Sequence, residues 1–174
     1  MSRAPARWKI LLAAVAVVAL GVLAFLAYGG IGNGTPTQRV RAWVSGSGLG
    51  QDIGTVVGDA ARVRLAVDEH KDAGVLHTDC GVLLTDAQSA NGELPTPDTQ
   101  LTDLLSSGYA LAYESGNDCY SSGGTNRALL EKATQERIQA EAKLQQAVNL
   151  VEQLTGSTLS TTTTTQPDAG MLGS

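Results

Sequence analysis

Between Arg39 and Thr155 apolar residues recur at alternating spacings of three and four, the period of a helix that buries one face. Leu49, Ile53, Val56, Ala60, Val63 and Val67 form a first seam, and Leu76, Cys80, Leu83, Ala87 and Ala90 a second. A weaker third seam runs through Leu101, Leu104, Gly108, Leu111, Ser115 and Cys119. The fourth comprises Leu130, Ala133, Arg137, Ala140, Leu144, Ala147, Val151 and Leu154. Strand-like alternation of β-branched residues is absent from this region, so the pattern predicts four helices.

The residues between the seams read as helix ends. His70 to Gly74 makes a short polar break, and Asn91-Gly92 ends the second helix before the stiff connection Leu94-Pro95-Thr96-Pro97-Asp98. Ser121 to Gly124 separates the third helix from the fourth, and Gly156 suits the position just past a helix end. Short connections favour antiparallel neighbours, so the expected architecture is all-α, an antiparallel four-helix bundle. Lys132 with Glu136 and Arg137 with Glu141 stand four apart on the last helix and should pair. Arg137, charged and on a seam, either snorkels to the edge or meets an acid on another helix, and snorkelling is the simpler expectation.

A different pattern occupies the N-terminus. The uncharged apolar run of 19 residues from Ile10 to Tyr28 would span about 28 Å as a helix, close to a bilayer's hydrocarbon thickness. Arg3, Arg7 and Lys9 precede it, and Trp8 and Tyr28 bracket it as interfacial rings would. The expectation is a cytoplasmic N-terminus at residues 1–9, a single transmembrane anchor at 10–28, and everything beyond on the outer side of the membrane. A cleaved signal peptide is the rival reading, with secretion as its consequence, although its apolar core is usually shorter.

Residues 29–38, GGIGNGTPTQ, read as a flexible linker, residues 39–155 as the helical ectodomain, and residues 156–174, with their threonine run, as a disordered Ser/Thr-rich tail. After Tyr28 the chain holds nine basic against seventeen acidic residues, a net charge of −8. With aromatics at 4% of the chain, that balance speaks against nucleic-acid binding and against adhesion of the whole domain to anionic lipid.

Candidate chemistry is sparse. Cys80, early in the second helix, and Cys119, at the end of the third, fall at the same end of an antiparallel pair, and an oxidising compartment would join them as a structural disulfide. Tyr109 and Tyr113, one turn apart, are a candidate interaction surface, against the alternative of a pair packed on the bundle's flank. His70 and His77 among Asp68, Glu69, Asp72 and Asp79 carry metal-ligating groups, but their spacing matches no ligand motif, so a solvated turn is favoured and no metal site is assigned. Ser45 to Gly50 has the glycines of a phosphate loop but lacks its Lys-Ser/Thr and its preceding strand. With no catalytic constellation and no cofactor fingerprint, the expectation is a non-enzyme that uses no cofactor.

Trp43, Cys80 with Leu83-Leu84, Leu94-Pro95-Thr96-Pro97-Asp98, Tyr113 and Asp118-Cys119 together resemble a loose family of exported, membrane-anchored actinobacterial helical proteins without assigned function. Leu94 departs from that family's pattern, which commonly has a further proline. The resemblance implies a disulfide-linked helical ectodomain at a cell surface, of host or phage origin, and carries no activity. The functional expectation is an envelope module whose partner is a protein or a wall component. A small-molecule or metal sensor and a structural spacer are the alternatives.

Overall fold

A computed structural model describes residues 34–161, and the predicted anchor at 10–28 lies outside them. The described residues form five helices and no strand: α1 (Pro36–Ser47), α2 (Leu49–Asp68), α3 (Ala73–Asn91), α4 (Thr99–Ser121) and α5 (Arg127–Thr155). None of these helices is long and apolar enough to cross a membrane.

Polar side chains start three of the helices. Asp72 Oδ1 accepts from the amides of Gly74 and Val75 at 2.9 and 3.0 Å, Asp98 from Leu101 at 2.8 Å, and Asn126 from Leu129 at 3.3 Å. Each satisfies amides that the first turn leaves without an intrahelical acceptor. Gly156 closes α5 in the left-handed region, φ 67°, with its amide bonded to the Glu152 carbonyl at 2.8 Å. Gly48, φ 70°, makes the corner between α1 and α2, so the glycine-rich stretch 45–50 is a helix junction.

α2 packs on α3, α3 on α4 and α4 on α5. Cys80 near the start of α3 is bonded to Cys119 near the end of α4, with Cα atoms 5.7 Å apart. One turn further in, the backbones of α3 and α4 meet at Gly116: a Cβ there would lie 2.7 Å from the Leu84 amide nitrogen. On the other side of α4, Ser115 Oγ donates to the Ala133 carbonyl at 2.8 Å, and Gly108 faces Leu144, where a Cβ would lie 2.8 Å from Leu144 Cδ2. Small residues thus let α4 approach both α3 and α5, and these are the most extensive helix contacts in the domain.

The second and fourth seams are buried as expected, apart from the partly buried Leu130 and Leu154 at the ends of the fourth. The third is buried at Leu101, Gly108, Ser115 and Cys119 and differs at two positions. Leu105, Tyr109 and Ala112 fill the core, and Leu104 and Leu111 are only partly buried. The aromatic ring of Tyr109 supplies the volume that its glycine- and serine-bearing helix otherwise lacks. The first seam ends on Ala66, with Val67 half-buried.

Two boundaries differ from the sequence reading. A fifth helix, α1, begins at Pro36, inside the stretch read as linker 29–38. Its apolar stripe is short: Val40 is buried, Trp43 and Val44 pack partly on the core, and Arg41 Nη2 donates to the Thr155 carbonyl at 2.6 Å. Docking on the end of α5, rather than intrinsic propensity, accounts for a helix this short. The second difference is in the tail. Its first six residues, 156–161, belong to the folded domain, with Leu159 packed on the core and the Ser160 carbonyl against Gly50.

Candidate functional site

Among the pairs of neighbouring helices, α2 and α5 meet sparingly, and the space between them is a groove. At one end Ala66, Val67, His70 and Lys71 of α2 and its turn face Arg127, Leu130, Glu131 and Thr134 of α5 across a cavity of about 570 Å³. At the other, Ile53, Gly54 and Val57 face Ile138, Glu141, Leu144, Gln145 and Val148 across about 520 Å³, with Thr161 at its edge. Volumes of this order suit a small organic ligand or a few inserted side chains. Ile138 stands on the groove at 48% exposure. Helical periodicity places apolar residues on the α2–α5 side of both helices, and the two helices nonetheless meet sparingly although Gly54 and Ala66 lie on that side.

A second concentration of chemistry lies on the opposite flank of α2, where it meets α3. Asp59 is 2% exposed, its Oδ1 paired with Arg62 and its Oδ2 without a hydrogen-bond partner. Across the helix boundary stand Asp86 and Asp79 of α3. Burial first, and then the Asp86 carboxyl, push the Asp59 carboxyl up to about 7, although Arg62 opposes the shift. Asp52, Thr55, Asp86, Ser89 and Ala90 line a small polar cleft of about 130 Å³ beside it. Burial also raises the carboxyls of Asp52 and Asp79. Asp59 is three residues after Val56 and four before Val63, so its place on the buried face was implicit in the seam. Ala60, beside it, is buried on the same face.

The sequence-derived candidates separate. Cys80 and Cys119 are joined. Tyr109 and Tyr113 do not make a surface: Tyr109 is 1% exposed in the core, and only Tyr113 reaches solvent. Burial pushes the Tyr109 hydroxyl well above its ordinary range, and the nearby charge of Asp52 adds to the shift. His70 and His77 are not brought together. His70 Nδ1 lies 3.1 Å from the Asp68 carbonyl, and His77 stacks on Tyr120 with ring centroids 3.6 Å apart. No group of three His, Cys, Asp or Glu among the described residues is placed to hold a metal ion.

On α5 both expected pairs form, Lys132 with Glu136 at 3.2 Å and Arg137 with Glu141 at 2.7 Å. Arg137 is 7% exposed and answers its charge within its own helix, neither snorkelling free nor crossing to another. Lys132 also reaches Asp118 of α4 at 2.7 Å, a bridge that no spacing rule would find. Glu136 is buried beside it, and desolvation raises its carboxyl.

Comparison with known proteins adds no relative: no protein-family model, curated protein or solved structure matches the chain.

Proposed function

We propose that this chain is a single-pass, membrane-anchored protein of the cell envelope whose outer helical domain binds another polypeptide through the α2–α5 groove. In this reading residues 10–28 are the anchor, with the N-terminus inside and the C-terminus outside, and α2 to α5 form an antiparallel four-helix bundle with α1 laid on α5. The open groove carries the proposal. It combines an apolar floor of Val57, Leu130, Leu144 and Val148 with a rim of mixed charge, Lys71, Arg127, Glu131 and the Arg137-paired Glu141. That lining suits a partner segment, helical or extended, that inserts apolar side chains, and the domain's net acidity favours one with basic residues beside them. The net charge of −8 after Tyr28 would steer such a basic segment toward the domain. The Cys80–Cys119 bond supports the compartment, since disulfides persist outside the reducing cytosol.

A photo-crosslinking residue placed at Ile138, in the groove, and separately at Tyr113, away from it, tests the reading in cells that make the chain. Position 138 should yield one discrete polypeptide adduct that position 113 does not, and Val57→Glu should abolish it. Equal adducts from both positions, or none from 138, would overturn the groove as the binding surface. A small-molecule sensor is the second reading, favoured by cavity volumes in the range of ligand pockets. It predicts that a bound small molecule is released when the purified full chain is denatured.

A further inference from the structure

We infer that Asp59 and Asp86 form a proton-dependent latch between α2 and α3. With one proton shared by the two carboxyls the helices stay closed, and when that proton leaves to solvent α2 loosens from α3.

The geometry sets the latch at an interface. Asp59 is almost fully removed from water, yet its Oδ2 has no donor to accept from. A proton held between Asp59 and Asp86 would supply that missing donor. Without it, two carboxylates face one another across the helix boundary. The charges that act on Asp59 are Arg62 from its own helix and Asp86 and Asp79 from α3. Asp52, two turns back on α2, adds another acid to the same flank. Arg62, itself 44% exposed, is the cation paired with Asp59, and it reaches only Oδ1. α4 presents Tyr109, buried, uncharged and lying in the field of Asp52. α5 brings Glu141 to the opposite flank of α2, where Arg137 already holds it. α1 brings Arg41, which is engaged by the Thr155 carbonyl.

The consequence falls on α2 because of how little else holds it. α3 is its main neighbour, and its other side borders the groove. An element with few packed contacts opens locally before the rest of a domain. An ordinary aspartate in an opened or unfolded chain ionises near pH 3.9, whereas burial and the facing Asp86 carboxyl raise that of Asp59 to about 7. The closed form therefore binds a proton that the open form has lost across that window. The closing equilibrium should fall as pH rises, by up to about tenfold per pH unit for one proton, and level off above neutrality. The latch stands whether or not the groove binds a polypeptide.

Hydrogen exchange of the full chain, read by mass spectrometry at pH 5, 6, 7 and 8 and corrected for intrinsic exchange rates, tests it. Amides of residues 53–66 should lose protection by up to about tenfold per unit from pH 5 to 7 and then plateau. Amides of residues 133–151 should stay nearly constant. Asp59→Asn should flatten the α2 dependence, and so should Asp86→Asn, a half-exposed position that tolerates change even where the buried substitution prevents folding. The latch is wrong if α2 and α5 change together across the series. It is equally wrong if the folded variants keep the wild-type pH dependence.

Discussion

Replacing Gly116 by alanine should separate α3 from α4 and destabilise the domain. In helix α4 the new Cβ would lie 2.7 Å from the Leu84 nitrogen, 3.0 Å from the Cys80 carbonyl oxygen and 3.0 Å from Leu84 Cα. All three are backbone atoms, so no side-chain rotamer can relieve the contact, and the helix axes must move apart by several tenths of an ångström. Overpacking a tight contact costs about 1–3 kcal/mol, and backbone neighbours place this case toward the upper end. Alanine's better helix propensity returns about 1 kcal/mol. The net effect is a loss of roughly 1–2 kcal/mol, or about 3–10 °C in melting temperature for a domain of this size. The Cys80–Cys119 bond sits one turn away and resists the separation, which concentrates the strain. The assay is thermal unfolding of the oxidised full chain followed by far-ultraviolet circular dichroism. Gly46→Ala serves as the control: it lies in helix α1, and a Cβ there meets nothing within 4 Å. That variant should melt at or above the wild-type temperature. If Gly116→Ala is as stable as Gly46→Ala, the close approach of α3 and α4 is not what the structure places there, and the reasoning fails.

Cys80→Ser should remove about 4 kcal/mol, from the chain entropy of a loop with a separation of 39 residues, and equilibrium denaturation with and without reductant measures it. Unreduced, alkylated protein analysed by mass spectrometry should show no free thiol at Cys80 or Cys119. Asp98→Ala removes the acceptor for the Leu101 amide at the start of α4 and should cost about 1 kcal/mol, whereas Asp98→Asn should cost far less. A larger loss from the asparagine variant would show that charge, not capping, is what matters at that position.

Much of the fold was legible along the chain because helix formation is a short-range matter. The stretch from Leu130 to Leu154 repeats its apolar residues for seven turns, and the structure buries nearly all of them in α5. Gly156 ended that helix in the sequence and ends it in the structure. The third seam was legible as a helix and at Leu101, Gly108, Ser115 and Cys119, but not in which flank completes it, because two overlapping stripes, Leu104 with Leu111 and Leu105 with Ala112, have the same period. Only the volume between α3 and α5 chooses the stripe that carries Tyr109. α1 escaped notice because Val40, Trp43 and Val44 make one stripe shorter than two turns, and the surface that stabilises it belongs to the far end of α5.

By itself the sequence determined the all-helical class of the described residues, four of their five helices with most of their ends, and the two cysteines that would meet. These follow from hydrogen bonds and side-chain periods within a few residues of each position. Tertiary structure alone decided that Tyr109 belongs to the core, that Lys132 bridges to Asp118, and that α2 stands apart from α5 to leave a groove. It also set Asp59 opposite Asp86. Each of these depends on which surface of one helix faces which surface of another, and that is settled by shape and charge matched across tens of residues, where no local period carries the information.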